Sequence, residues 1–444
     1  MTDLRTAPEP SAGPPGRPAE RAVISGVGLI CAAGVGVSAS WDAMQRGAPE
    51  PHLYEGPPPV DHVRFPVFAA PDYDLAELGL DRRLCAWLTG APRRDARDLR
   101  HLAGATALAL ADAGLPLDCA QLDAPVQVVV ANESPGFEEL SQLIFSFDDE
   151  PGPQRDPISR YRQFVDRFFE LNTFLPPHYL ARAFGFSGPA LFVNSACASG
   201  LNALDVAVHG VRSGRTRIAV VAAADNPLSV AKYLWFHGLG LYASEPTIRP
   251  FDARQTGTIF GDGGAALIVE AASSAARRGA HVYAECTGAG FAQDGWKITV
   301  PAPAKDSGGQ ALQSALAEAR QRPADIDLIV PHGIGAAASD LYEARLLTHT
   351  FGAADPWPAV TALKPFIGHG LGASALMETA LLLKAMDAQL LPPTLGHQVP
   401  FRRYPLPLVT EWQRRRIDVA VKLTCAFGGY YGAVVFKRCE SGGR

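Results

Sequence analysis

Apolar residues along this chain of 444 residues come in short blocks, several of them closed by a glycine-rich turn. Ala22-Val23-Ile24-Ser25-Gly26-Val27-Gly28 predicts a buried strand that ends in such a turn. Val126 to Ala131 predicts a second strand, broken only by Gln127. Ile218 to Ala224 predicts a third, apolar throughout and therefore of the kind buried on both faces. Helical spacing falls between these blocks. It is seen around Ser40 to Arg46, over Asp95 to Ala113 with Gly114 and Pro116 as stops, and over Leu201 to Val211.

The second half follows the same plan. Asp325 to Val330 predicts a strand running into Pro331-His332-Gly333. Lys364 to Ser374 is a turn rich in small residues that opens a helix through Met386. Val419 to Thr424 and Ala433 to Lys437 predict strands on either side of Phe427-Gly428-Gly429. Strand–turn–helix units in both halves argue for an α/β fold with duplicated topology. The expected division is an N-terminal half over 21–272 and a C-terminal half over 273–439. Residues 1–20, with five prolines, and residues 440–444 are expected to be loose tails. Residues 135–180 mix aromatics, acids and prolines, and read as an elaborated loop and helix region that shapes a substrate or a dimer contact, or does neither.

Composition narrows the function without naming it. At 47% hydrophobic and 19% charged the chain is an ordinary globular protein, and a net charge of -5 argues against nucleic acid as partner. No apolar run is long enough to span a bilayer, and no basic-then-apolar leader opens the chain. The seven cysteines contain no C-x-x-C pair, which disfavours a zinc site, and their odd number and wide spacing fit a reducing cytoplasm.

Cys197 stands out by position. It lies in Ser195-Ala196-Cys197-Ala198-Ser199-Gly200, between a predicted strand, Ala190 to Asn194, and a predicted helix. Free N–H groups and the positive end of the helix dipole favour a thiolate there, and the thiolate is the nucleophile. Small neighbours let an acyl chain approach the backbone. His332 and His369 each sit in a glycine-rich turn, so a cysteine and two histidines are expected to meet at the ends of adjacent strands. Neutral histidines there would donate hydrogen bonds to developing negative charge.

With these residues in view, the chain resembles the β-ketoacyl-carrier-protein synthases, or ketosynthases, of fatty acid and polyketide assembly. Asn194 to Gly200 is similar to the nucleophile motif A-C-x-S-G, and Pro331-His332-Gly333 to the first histidine motif. Lys364 with His369 is similar to K-x-x-x-G-H, and Phe427-Gly428-Gly429 to the C-terminal glycine loop. Arg249-Pro250-Phe251-Asp252 and Gly261-Asp262-Gly263 resemble two further landmarks, so the likeness spans about Arg21 to Lys437.

The resemblance implies a thiolase-like fold of two α-β-α-β-α halves in five layers. It implies that Cys197 takes an acyl group from the phosphopantetheine arm of an acyl carrier protein, with no cofactor or metal bound to the enzyme itself. The N–H groups of Cys197 and Phe427 would form the oxyanion hole. His332 and His369 would assist decarboxylation of a malonyl unit, Lys364 would orient the site and pair with Glu343, and the Phe427 ring would gate the half-reactions. A homodimer, or a heterodimer with a chain-length-factor-like subunit, is implied as well. Arg402-Arg403 and Arg414-Arg415-Arg416 are candidate contacts for an acidic carrier.

Several positions depart from the family pattern. Ile334 and Ala336 replace the threonines of H-G-T-x-T, Gln255 and Thr256 replace an arginine and an aspartate, and Cys425-Ala426-Phe427-Gly428-Gly429-Tyr430-Tyr431 replaces F-G-F-G-G-T-N. These changes favour specialised biosynthesis over ordinary fatty acid elongation. They leave open acyl transfer without condensation. A thiolase, with Cys425 as its second cysteine, is disfavoured by His332 and the lysine–histidine motif. A non-catalytic chain-length partner is disfavoured by Cys197.

Overall fold

The structure, a computed structural model, describes residues 20–58, 60–90, 96–138, 140, 141, 165 and 168–439. The two predicted tails, apart from Glu20, and most of the 135–180 region lie outside the described residues. Among the described residues the main sheet has ten strands side by side: β1 (Ala22–Cys31), β2 (Val126–Ala131), β3 (Ala190–Val193), β4 (Ile218–Asp225), β5 (Gly263–Ala271), β6 (Ala284–Gln293), β7 (Leu328–Val330), β8 (Ala359–Val360), β9 (Val419–Ala426) and β10 (Tyr430–Lys437). A two-residue strand, Gly34–Val35, adds to β1.

The duplication that the residue pattern only suggested is explicit in the topology. The order across the sheet is β8-β7-β9-β10-β6-β1-β5-β4-β2-β3. Read outward from the centre, β1-β5-β4-β2-β3 and β6-β10-β9-β7-β8 are the same arrangement. The directions repeat too. The β1–β5, β5–β4, β6–β10 and β10–β9 pairs are antiparallel, and the β4–β2, β2–β3, β9–β7 and β7–β8 pairs are parallel. The halves join through a short antiparallel contact of β1 with β6, Val23 opposite Glu285 and Ile24 opposite Ala284.

The helices that bear on the site are α1 (Val37–Arg46), α2 (Arg97–Asp112), α3 (Ser199–Arg212), α4 (Val230–Gly238), α5 (Ser307–Glu318), α6 (Ala337–Phe351) and α7 (Ser374–Ala388). Strand alternation divides the core into layers. In β4, Ile218, Val220, Ala222 and Ala224 face an outer core shared with α2, while Ala219, Val221 and Ala223 face the central core shared with α3 and α7. In β9, Val419, Val421, Leu423 and Cys425 face the other outer core, built with α5 and α6. Helix layers outside, sheet halves next and α3 with α7 at the centre make the five-layered α-β-α-β-α fold.

The central helices pack closely because small residues line their contact. A Cβ placed on Gly200 would fall 3.0 Å from both the backbone nitrogen and the Cβ of Leu376. This close approach brings the start of α3, with Cys197 just before it, against the start of α7, which follows His369. Among the described residues no helix is long and apolar enough to cross a membrane. All seven cysteines are free thiols.

Candidate active site

Cys197 sits on a tight elbow between β3 and α3. Ala196 has φ 51°, a left-handed conformation that a non-glycine residue adopts only when its surroundings hold it there. Ser199 does the holding: its Oγ accepts the Ser195 N–H at 2.8 Å and donates to the Ala196 carbonyl at 2.6 Å. Asn194 Oδ1 accepts the Ala196 N–H at 3.2 Å. The small residues of the motif are thus the ones that allow the bend, and the bend presents the thiol.

The thiol, however, does not rest in the electropositive setting that its place before a helix suggested. Burial pushes the Cys197 thiol up from its ordinary value, and the nearby Glu133 charge adds to that; Lys364 and the N–H of Phe427 oppose it without overcoming it. Cys197 is 4% exposed, and the loss of water disfavours its charged form.

His332 follows β7 directly, as expected. His369 does not end a sheet strand. It lies in the loop after the one-turn helix Lys364–Ile367, where its N–H donates to Ile259 O at 2.8 Å and its carbonyl accepts the Gly261 N–H at 3.0 Å. Gly368, at φ 72°, makes the turn that permits this. The two rings cross at 82° with centroids 5.4 Å apart. Ligand atoms of Cys197, His332 and His369 all lie within 4.8 Å of one another, which is also the spacing at which they could meet one metal ion.

Hydrogen bonds set the tautomers. His369 Nδ1 accepts the Leu371 N–H at 3.0 Å, and His332 Nδ1 lies 3.4 Å from the Lys364 ammonium, itself a donor. Each neutral ring therefore carries its proton on Nε2. Burial first, and Lys364 second, hold both rings well below the usual histidine value. A lowered pKa keeps the Nε2–H form as acid is added, so NMR of the two rings is expected to show no protonation step as pH falls through about 6.5. A step at or above that pH in either ring would contradict the assignment.

The charges behind the histidines differ from the expected pairing. Glu343 does not pair with Lys364. Its two oxygens accept the N–H groups of His332 at 2.6 Å and Gly333 at 2.8 Å, because α6 returns beneath the β7 turn and aims Glu343 at the backbone. Lys364 instead meets Glu378 of α7 at 3.0 Å and donates to the His332 carbonyl at 2.6 Å. Glu378 also pairs with Lys422 of β9 at 2.9 Å, and all three side chains are fully buried. Asp340 accepts N–H groups of Phe251, Ile334 and Gly335. Pattern reading missed Glu378, Lys422 and Asp340. The signal for the first two was a lone charge in an apolar element: Glu378 in Ser-Ala-Leu-Met-Glu-Thr-Ala-Leu and Lys422 in Val-Ala-Val-Lys-Leu-Thr.

The three reactive side chains open into a cavity of about 260 Å³. Phe427 lies at its wall, its ring 5.4 Å from Phe236 and 5.5 Å from Trp235 of α4. Its backbone is close enough to the Cys197 thiol to oppose part of the thiol's rise. Ile334 and Ala336 line the cavity without hydroxyls, with Thr299 and Val300 among the other lining residues. Cys425 and Tyr431 reach the same cavity. Gln255 and Thr256 are half-buried, with Gln255 Oε1 and Thr256 Oγ1 lacking partners among the described residues. Arg403 lines a neighbouring cleft with Arg345 and Tyr404.

Comparison with known proteins fits this geometry. Residues 19–275 match the family described as beta-ketoacyl synthase, N-terminal domain, and residues 283–398 match beta-ketoacyl synthase, C-terminal domain. The tetracenomycin polyketide synthase ketoacyl synthase alpha subunit of Streptomyces glaucescens is 27% identical over 431 residues, covering 94% of this chain and 97% of the relative. The 3-oxoacyl-[acyl-carrier-protein] synthase 2 of Staphylococcus aureus (strain COL) is 30% identical over 262 residues, 58% of this chain and 63% of the relative. Among solved structures, the ishigamide ketosynthase/chain length factor superposes with a TM-score of 0.81 at 23% identity, covering 95% of this chain and 100% of that one. A beta-ketoacyl synthase from Burkholderia phymatum superposes with a TM-score of 0.79 at 23% identity over the same shares. By sequence over nearly its whole length, and with the thiolase-like fold to match, the chain belongs to the beta-ketoacyl synthase family.

Proposed function

We propose that this protein is a decarboxylating condensing enzyme that carries an acyl group on Cys197 and extends it with a malonyl unit in polyketide or fatty acid-type specialised biosynthesis. The observation that carries the reading is one cysteine and two neutral histidines with side-chain ligand atoms within 4.8 Å of each other in a single cavity. In the first half-reaction the Cys197 sulfur attacks the thioester carbonyl of a carrier-bound acyl group. The oxyanion lies against the N–H groups of Cys197 and Phe427. The pantetheine thiol leaves with the cysteine's proton, giving acyl-Cys197.

In the second, the malonyl carboxylate leaves as carbon dioxide, and its bonding pair becomes an enolate. The enolate oxygen accepts the two Nε2–H groups of His332 and His369. The enolate carbon attacks acyl-Cys197, the thiolate leaves and takes up a proton, and a β-keto thioester two carbons longer departs on the carrier. Lys364, Glu378 and Lys422 position His332 through its carbonyl and Nδ1 and keep its ring neutral; Glu343 fixes its backbone. The Phe427 ring, packed on α4, gates passage between the half-reactions.

Acyl carrier protein is the proposed macromolecular substrate. Structural neighbours include a ketosynthase with its chain length factor and a type II ketosynthase in complex with its acyl carrier protein. A dimer, with itself or such a subunit, fits the sheet: β3 is its outer edge, and Leu191 there is 43% exposed. Intact mass after mixing with acyl-carrier donors and then malonyl-carrier protein tests the reading. Acyl mass should appear on Cys197 and be replaced by a longer β-keto product with carbon dioxide. Loading without carbon dioxide would favour simple acyl transfer, a reading that the apolar Ile334 and Ala336 keep in contention. Absence of loading from every donor would refute the acyl-enzyme.

A further inference from the structure

Two bends beside the reaction cavity share one unusual backbone conformation. Ala196, next to the nucleophile, and Leu371, two residues after His369, both have φ 51°. Neither is a glycine, so each bend is strained and stands only because its surroundings impose it. One buried carboxylate is tied to both. Asp225, at the end of β4 and 1% exposed, accepts the Gly372 N–H at 2.9 Å and the Glu133 N–H at 3.1 Å on the same oxygen, Oδ2. Its other oxygen, Oδ1, faces the Lys232 ammonium of α4 at 3.7 Å.

On the histidine side the connection is short. The Gly372 N–H belongs to the peptide group that leaves Leu371, so the carboxylate that holds it also holds the Leu371 bend. The Leu371 N–H in turn donates to His369 Nδ1 at 3.0 Å, which orients the ring and leaves its proton on Nε2. Glycine at 372 lets the carboxylate come this near, since a Cβ there would fall 2.6 Å from Asp225 Oδ2. On the nucleophile side the connection is longer. The Glu133 carbonyl accepts Asn194 Nδ2 at 2.7 Å, and Asn194 Oδ1 accepts the Ala196 N–H at 3.2 Å. There Ser199 braces the elbow independently, through its bonds to Ser195 and Ala196. The carboxylate therefore bears more on His369 than on Cys197.

We propose that Asp225 is a positioning residue for the condensation: through the Gly372 and Leu371 amides it fixes the orientation and the tautomer of the His369 ring relative to the Cys197 elbow. It acts through the backbone and not on the reacting atoms. Its effect on turnover rests on the reading that His369 donates to the enolate. His332 supplies an internal contrast. Its Nδ1 faces Lys364 and its N–H is held by Glu343, so its ring lies outside this relay.

The test records nitrogen-15 NMR spectra of the two histidine rings in wild-type, Asp225→Asn and Asp225→Leu protein, together with carbon dioxide release from malonyl-carrier protein and acyl loading of Cys197. Asp225→Leu removes the acceptor. His369 Nδ1 is then expected to lose the shift of a hydrogen-bonded acceptor and the Nδ1–H form to appear, while the His332 signals stay as in wild type. Carbon dioxide release should fall by about 10- to 10²-fold, the scale of a displaced reacting group, and loading by a smaller factor. Asp225→Asn keeps a weaker acceptor and should lie between wild type and Asp225→Leu in both the His369 shift and the rate. An unchanged His369 spectrum in Asp225→Leu, equal disturbance of both rings, or loading lost as severely as carbon dioxide release would overturn the proposal. Should Asp225→Leu fail to fold, Asp225→Asn decides: a shift confined to His369 supports the relay and no shift overturns it. Absence of carbon dioxide release from wild-type protein would refute the condensing reading, and the ring spectra would still decide whether Asp225 sets the His369 tautomer.

Discussion

Cys197→Ala is expected to lose acyl loading and carbon–carbon bond formation, by on the order of 10⁴-fold or more, while still releasing carbon dioxide from malonyl-carrier protein. The reason is the division of labour in the cavity. The sulfur is needed to hold the acyl group. On the proposed mechanism the enolate would be held by the Nε2–H groups of His332 and His369, whose tautomers are set by Leu371 N–H and Lys364 and not by the cysteine. His332→Ala or His369→Ala should do the reverse and depress decarboxylation by about 10²- to 10³-fold, the usual cost of one oxyanion donor, while Cys197 still loads. Labelled malonyl thioester and a carbon dioxide assay separate the two. Equal loss of both activities in all three variants would mean that the groups act as one unit, against this assignment.

The second large effect is on stability. Glu378→Leu is expected to destabilise the fold by about 3–5 kcal/mol, the range for removing one member of a buried ionic network. Glu378 is the carboxylate that both Lys364 and Lys422 contact within 3.0 Å, and all three are sealed from water. Without it two ammonium groups share a dry site with Glu343, whose carboxyl burial already pushes up. Glu378→Gln keeps the volume and should cost nearly as much, because charge and not packing is lost. Adding Lys422→Met to Glu378→Gln should restore part of the loss, since one uncompensated cation disappears with its partner. Denaturant unfolding of the three variants measures this. A Glu378→Gln protein as stable as wild type would show that the lysines do not depend on that charge.

Much of the sheet was readable because its strands are buried on both faces and therefore apolar end to end. Val126 to Ala131 occupies the predicted span, and Ile218 to Ala224 is extended only by Asp225. The helix expected over Leu201 to Val211 runs Ser199–Arg212, two residues nearer to the cysteine than periodicity indicates, because Ser199 caps the elbow rather than the helix. The residue pattern suggested the duplication only as strand–turn–helix units in both halves, since both halves are simply apolar strands and alanine-rich helices. It becomes visible only as a repeated strand order.

The site divides in the same way. Cys197, His332 and His369 stood out from local chemistry, small residues where the backbone must bend sharply and glycines where a turn must take positive φ, whereas Lys364 and Phe427 were named only through the likeness to the ketosynthase motifs. Those requirements act within a few residues, so they leave a mark in the sequence. Which carboxylate faces which lysine leaves no such mark. Glu343 and Glu378 both sit on helices that follow a site turn. Only the direction from which each helix returns sends Glu343 to the His332 backbone and Glu378 to Lys364 and Lys422. The thiol's state was decided the same way. A helix start favours a thiolate, whereas the tertiary packing removes the water that a thiolate needs and sets Glu133 nearby, and both of these push the thiol up.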